Sequence, residues 1–302
     1  MKNSITIVKI GSNTIVDEKG SIRTEIIQDV VTILREIMSS GERVVLVTSG
    51  AVQLGRILLG KETSATVAAS VGQTHLFDAY YKEAEKVQLK LAQFLLTRPY
   101  IVTREYFLNL QTTFNSLLDQ GILPVVNEND ALVAHTDWSF GDNDSLAAAL
   151  AISLKAERLI ILSHIEGLFD TDPNKNKNAK LMRGEEIGTV FLPRKSDNKI
   201  SNRDRWLLAA KNSAGSIEID SGAAIALKKG KSLLAVGVKE VNGQFNKKEI
   251  VEIVDAEHQG IAFGIVDYSS QEISEMLRAN KLKDVQLMHT DNMITICVCT
   301  LT

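Results

Sequence analysis

The sequence lacks most of the features that mark a specialised protein. Of its 302 residues only two are cysteine, Cys297 and Cys299. Spaced C-x-C on a strand, they would share a face but lie too close for an ordinary bridge. No partner pair of Cys or His accompanies them, so they make a poor metal site. They are expected to be packing residues in a reducing compartment. No apolar run approaches the roughly 20 residues that span a bilayer. The N-terminal MKNSITIVKIGSN is interrupted by Lys9 and reads as a first strand, not a signal peptide. The expectation is a cytoplasmic protein with no membrane contact. An excess of charge is missing too: 34 Lys and Arg against 37 Asp and Glu leave −3. That gives no general grip on nucleic acid or anionic lipid.

The familiar nucleotide signatures are also absent. There is no G-x-x-x-x-G-K-[ST], and no G-x-G-x-x-G follows a strand. The acidic clusters do not match the spacing of a calcium loop. The five histidines are scattered and form no Ser/His/Asp arrangement.

What is present is an ordinary soluble composition, 44% apolar and 24% charged. At about 150 residues per domain the length suggests two domains. Each core can form without disulfides or a structural metal.

The first 170 residues or so alternate strand and helix patterns. Ile5 to Ile10 is a nearly continuous apolar run, as in a strand buried on both faces, and Arg43 to Thr48, Leu123 to Val126 and Arg158 to Ser163 read as further strands. Ile26, Ile27, Val30, Leu34, Ile37 and Met38 recur at helical spacing, closed by Ser39-Ser40-Gly41. Ser145 to Leu154 is a strong helix former with Asn143 and Asp144 at its head. The pattern predicts an α/β fold, a mostly parallel sheet sandwiched by helices. The last hundred residues differ. Ser232–Val238, Glu249–Val254 and Ile261–Val266 are short runs, with Gly230, Gly237, Gly243, Gly260 and Gly264 as the expected turns. A small β-barrel or sandwich is the expectation there. The boundary falls near Ser201, dividing 1–200 from 201–302.

In an open α/β sheet, ligands bind beyond the C-terminal strand ends. The residues there are Lys9-Ile10-Gly11-Ser12, Thr48-Ser49-Gly50-Ala51, Asn127-Glu128-Asn129-Asp130 and Ser163-His164. A lysine followed by Gly-Ser offers a point charge and backbone N–H groups, both suited to phosphate. The plainer alternative is a lysine snorkelling at a sheet end. Thr48-Ser49-Gly50-Ala51 could equally be a cap and tight turn. Gly141-Asp142-Asn143-Asp144 places two carboxylates at a helix N-terminus, where capping explains one of them.

In combination the strings are specific. IVKIGSNTI, VVLVTSGAVQLGR, SVGQTHLFDAYY, LLTR, LPVVNENDA, FGDNDSLAAALA and LIILSHIEGLFDTDP resemble, in order, the glutamate 5-kinase branch of the amino-acid kinase family. NRDRWLL, IEIDSGAAIAL, KGKSLLAVGVKEVNGQF and IAFGIVDYSS resemble a PUA domain. The resemblance implies phosphoryl transfer from ATP, with Mg²⁺, to the side-chain carboxylate of L-glutamate, the first step of proline synthesis. It implies Lys9 on the nucleotide phosphates, and Ser49, Asp130 and Asn143 on glutamate. Asp142 and Asp144 would organise the catalytic site, orienting the lysine or the substrate ammonium and holding Mg²⁺ through water, with no direct metal ligand. Ser163 and His164 fall on the nucleotide position, where His164 departs from the family's usual Asp. Proline as feedback inhibitor and a homo-oligomer also follow from the resemblance.

One departure is larger. After Met182 the family pattern continues with a Gly-rich loop, a second phosphate-binding lysine and further strands. Here Arg183 resumes the approach to the PUA-like part. The gap amounts to about two βα units of roughly 30 residues each. Either a segment is missing from the sequence as read, or the gene lacks it. Unpaired backbone left in a shortened sheet favours the former. Two other readings stay open: a catalytically impaired homologue that binds glutamate or proline, and an RNA-binding module. Residues 201–302 carry 12 Lys and Arg against 13 Asp and Glu, which argues against RNA.

Overall fold

Runs of β-branched and aliphatic residues with few charges become the strands of the N-terminal part. The computed structural model describes residues 4–17, 20–133, 139–163, 184–185, 188–189, 201–209, 215–279 and 285–295. Cys297 and Cys299 lie outside the described residues. Ile5–Ile10 (β1), Arg43–Val47 (β2), Leu91–Leu96 (β3), Leu123–Glu128 (β4) and Arg158–Leu162 (β5) form a parallel sheet in the order β3-β4-β2-β1-β5. The helices between them are Ser12–Ile15 (α1), Thr24–Ser39 (α2), Ala51–Leu59 (α3), Ala65–Lys86 (α4), Pro99–Val102 (α5), Arg104–Asp119 (α6), Asp130–Val133 (α7) and Asn143–Leu154 (α8).

β1 and β2 are buried at almost every position, so the sheet centre is covered on both faces. α2 shows how the covering arises. Its apolar residues recur every three or four positions, which puts Ile27, Val30, Val31 and Leu34 on one buried stripe. Each contributes about 1.5–3 kcal/mol relative to an exposed position. Gly41, with φ +94°, ends the turn that follows.

α3 and α4 cross at unusually close range. A Cβ on Gly55 would lie 1.8 Å from the Ala68 carbonyl oxygen, and one on Gly72 1.9 Å from that of Ala51. Only glycine lets two helical backbones approach so closely. The contact fixes the start of α3, which directly follows the Thr48-Ser49-Gly50 turn.

The chain divides into two units, 1–100 with 108–199 and 101–107 with 200–302. Trp206 Nε1 donates to the Val102 carbonyl at 2.9 Å within the second unit, which accounts for the short N-terminal piece in it. Two-residue strands Gly184–Glu185 (β6) and Gly188–Thr189 (β7) pair antiparallel. Beyond Asn202–Ala209 (α9) come Gly215–Ile219 (β8), Ser221–Lys228 (α10), Leu233–Leu234 (β9), Val238–Gly243 (β10), Ile250–Val254 (β11), Gly260–Ile265 (β12), Ser270–Arg278 (α11), Gln286–Met288 (β13) and Met293–Thr295 (β14). A second sheet runs β10-β8-β11-β12-β14, and β13 pairs with β9. Ile217, Ile219, Leu227, Val251, Ile253, Ile261 and Leu287 are among its core.

The glycine-based expectation for this unit needs correction. Gly260 and Gly264 lie inside β12 instead of in turns. A Cβ on Gly264 would sit 2.1 Å from Met288 Sδ, so close packing explains that glycine. Ser232–Val238 yields only the short β9 and a 3₁₀ turn at Ala235–Gly237. α10 and α11 interrupt what read as an all-strand pattern. Among the described residues, no helix is long and apolar enough to cross a membrane.

Candidate active site

The C-terminal ends of β1, β2, β4 and β5 open onto one cavity of about 1190 Å³. Strand order explains the place. β5 joins β1 on the side opposite β2 and β4, so the connections diverge at β1, where a crevice forms. Lys9, Ser49, Asp130, Asp142, Asn143, Asp144 and Ser163 all line this cavity. His164 lies outside the described residues.

Lys9 occupies the next-to-last position of the buried β1, its side chain only 12% exposed. Its Nζ pairs with Asp144 Oδ1 at 2.6 Å. With Asp144 half exposed, that bridge adds at most about 1 kcal/mol of stability; its use is to aim the ammonium. A Cβ on Gly11 would stand 3.5 Å from Lys9 Nζ. Glycine there keeps a side chain out of van der Waals contact with the ammonium.

Asp142 and Asp144 divide the labour. Asp142 is the N-cap of α8, its Oδ1 accepting from Ser145 N–H at 2.6 Å. Such a cap stabilises a helix by about 1 kcal/mol. Asp144 points instead to Lys9. The helix therefore starts at Asn143, two residues before the stretch that pattern alone marks.

Asn143 ties three elements together. Its Nδ2 lies 2.9 Å from the Thr48 carbonyl, 2.7 Å from Ser49 Oγ and 2.9 Å from Asn127 Oδ1. Asn127 Oδ1 also accepts from Glu128 N–H, and its Nδ2 donates to Gln73 Oε1 on α4 at 2.8 Å. Thr48 Oγ1 and Tyr80 OH share a buried 3.0 Å hydrogen bond that anchors the turn from below. Burial pushes the Tyr80 hydroxyl well above its ordinary pKa and leaves it neutral. Gly50, at φ +112°, lets the chain turn sharply into α3 and present Ser49 to the cavity.

Two polar atoms of the cavity's lining residues, Asn143 Oδ1 and Thr14 Oγ1, are buried without a hydrogen-bond partner among the described residues. A buried unpaired polar atom is costly.

Glu128 and Arg98 belong to NEND and LLTR, yet sequence reasoning assigned neither a role. Glu128 accepts from Phe140 N–H and from Ser139 Oγ at 3.0 Å. Burial raises its pKa; the Phe140 N–H, Ser139 and Arg98 oppose that rise, and Asp142 adds to it. Arg98 donates from Nε and Nη2 to the Ser139 carbonyl at 2.9 and 2.6 Å. A smaller cavity of about 550 Å³, between α4 and the β3–β4 edge, shares Glu128 and Asp130 with the large one.

Residues 4–233 match the amino acid kinase family, and 215–288 match the PUA domain. The chain belongs to the amino acid kinase family. It is 32% identical to a protein named glutamate 5-kinase from Pelobacter propionicus, over 96% of this chain and 97% of that one. Proteins of the same name are 32% identical in Caldanaerobacter subterraneus, over 96% and 97%, and in Haemophilus influenzae, over 97% and 99%. Among solved structures, isopentenyl phosphate kinase from T. acidophilum is similar with TM-score 0.43 and 18% identity, covering 60% of this chain and 79% of that one. The Pelobacter alignment runs over 364 positions against a chain of 302 residues, so at least 62 positions have no counterpart here.

Proposed function

We propose that this chain transfers the γ-phosphoryl group of ATP to the side-chain carboxylate of L-glutamate, giving glutamyl 5-phosphate. What supports the reading best is that Lys9 and the Asn143 knot open onto one cavity. In the transfer, a carboxylate oxygen attacks the γ-phosphorus, the bond to the bridging oxygen breaks, and ADP leaves. Glutamate is ionised at neutral pH, so no general base is needed. Catalysis is then positioning plus electrostatics. Lys9, aimed by Asp144, neutralises charge on the transferred group, with Ser163 on the nucleotide side. Ser49, Asp130 and Asn143 hold glutamate.

Mg²⁺, when bound, would supply further charge neutralisation on the phosphates. Asp142 and Asp144 fit an ion that keeps most of its water and its phosphate ligands. Among the described residues no three His, Cys, Asp or Glu side chains converge as a metal cage. Proline shares the ammonium and carboxylate of glutamate, which supports its role as a competing ligand of the same pocket. We place the missing positions at the Met182–Arg183 junction.

Those missing positions favour a second reading, an impaired homologue that binds glutamate and turns over poorly. Calorimetric titration with glutamate tests what the two readings share. Saturable binding, weakened about tenfold or more in Asn143→Ala, is expected. Absence of binding to the parent chain would remove glutamate as the substrate.

A further inference from the structure

Residues 139–141 lead directly into Asp142-Asn143-Asp144, and one peptide group within them is held at both ends. The Ser139 carbonyl accepts two hydrogen bonds from Arg98, and the N–H on the other side of the same peptide, that of Phe140, donates to Glu128. The next peptide is fixed as well, because Gly141 N–H donates to Ser139 Oγ at 2.9 Å while that hydroxyl reaches Glu128. The Arg98 guanidinium also lies 5.7 Å from the centre of the buried Phe140 ring. Glu128 ends β4, and Arg98 follows β3. Two neighbouring sheet strands therefore dictate the orientation of a peptide plane three residues before Asn143.

The anchoring is directional, which separates it from ordinary packing. A peptide held only at its carbonyl can still rotate about the flanking bonds; held at both ends, it cannot. Asn143 spends its amide hydrogens on Thr48, Ser49 and Asn127. Any tilt of the preceding turn would pull that side chain off its three acceptors and move Asp144 away from Lys9. Misplacement by about 1 Å in such a constellation costs on the order of a hundredfold.

We infer that Arg98 and Glu128 are positioning residues that clamp the 139–140 peptide and thereby set the acceptor-binding turn. The inference deepens the glutamate reading and rests on it. Neither residue needs to touch substrate in this role. Arg98→Lys keeps the charge but cannot direct two N–H groups to one carbonyl. Glu128→Gln keeps the size and one acceptor oxygen.

The test uses the full chain and two readouts, calorimetry and amide hydrogen exchange. Each variant is expected to raise the glutamate Kd about tenfold or more and leave the ATP Kd within about twofold, the loss of a charged hydrogen bond. Exchange in peptides covering residues 139–146 should accelerate, with β1, β2 and β4 unchanged. The double variant should fall well short of the product of the single effects, since both residues grip one peptide. Unchanged exchange at 139–146 overturns the clamp. So does faster exchange with glutamate affinity intact, loss of protection throughout the chain, or fully multiplicative effects. If the parent chain binds no glutamate, the substrate reading fails, and the exchange results still decide the clamp.

Discussion

Lys9 must satisfy two demands at once, burial at the end of a central strand and a charge directed into solvent-accessible space. Asp144 resolves the conflict by holding the ammonium at 2.6 Å from a carboxylate that is itself half exposed. Removing a transition-state partner of this kind typically costs about 2.7–4 kcal/mol, so Lys9→Ala should lower kcat about 100- to 1000-fold. Lys9→Arg should recover little, because a planar fork does not replace a compact ammonium. Steady-state ADP release in the presence of glutamate measures both, and a Lys9→Ala enzyme with near-parent turnover would contradict the role. Lys9, Ser49 and Asn143 were legible in the sequence because they sit at strand ends or a helix head, where α/β proteins place ligands. Arg98 and Gln73 were not, and Glu128, although it stands in a strand-end string, gave no sign of its partner. Their contacts span 41, 54 and 12 residues, and no local pattern encodes a partner so far away.

At the scale of elements, the α3–α4 crossing carries the next prediction. Gly72→Ala gains about 1 kcal/mol of helix propensity. It also drives a methyl against the Ala51 carbonyl, where 1.9 Å forbids any accommodation without backbone movement. A methyl driven to 1.9 Å from a backbone carbonyl belongs at the upper end of the about 1–3 kcal/mol that overpacking costs, which outweighs the propensity gain. The net effect is a lower Tm by a few degrees and a displaced Ser49 turn. An unchanged Tm in thermal unfolding would contradict the close approach.

In the second unit, Ser269 and Glu272 form a capping box on α11, with Lys247 paired to Glu272 at 2.6 Å. Lys247, then the Ser269 N–H, hold the Glu272 pKa down at about 2, from 4.5. A lowered carboxylate pKa stabilises the fold above the unfolded value, and the gain is lost as pH falls through the folded one. Protection factors in α11, exchange rates taken relative to the intrinsic rate at each pH, should therefore fall between about pH 4.5 and about 2, and Glu272→Gln should flatten that dependence. The same S-x-x-E spacing is a helix-start signal in the sequence. It lay among glycines at regular spacing, which read as turns between strands, so α11 passed unseen. β3 and β5 are both edge strands and only partly buried; β5 is readable because Leu159-Ile160-Ile161-Leu162 is an unbroken aliphatic run, whereas Ala92-Gln93 interrupts the pattern of β3.

For the whole molecule, the parallel sheet, the covering helices and a β-rich C-terminal unit were all readable from the alternation of patterns. Hydrophobic periodicity is carried by each element's own residues, although β5, apolar in sequence, is exposed at three of its five positions. The relation of the chain to its longer relatives is a different kind of fact. At least 62 aligned positions are missing, while every described residue of the acceptor pocket precedes residue 164. Relative to the Pelobacter propionicus protein assayed beside it, this chain is expected to keep glutamate affinity within about tenfold. Its kcat should be lower by about a hundredfold or more, the loss of one phosphate-binding contact. Equal kcat values would show that the missing positions carry no part of phosphoryl transfer.

In the proposed reaction Lys9 and the Asn143 pocket jointly pass phosphate from ATP to the glutamate side chain. Trapping the acyl phosphate with hydroxylamine tests it most directly. Glutamyl hydroxamate is expected to require both ATP and glutamate and to fall about a hundredfold or more in Lys9→Ala. Hydroxamate that forms without glutamate, or forms equally well in Lys9→Ala, would contradict it.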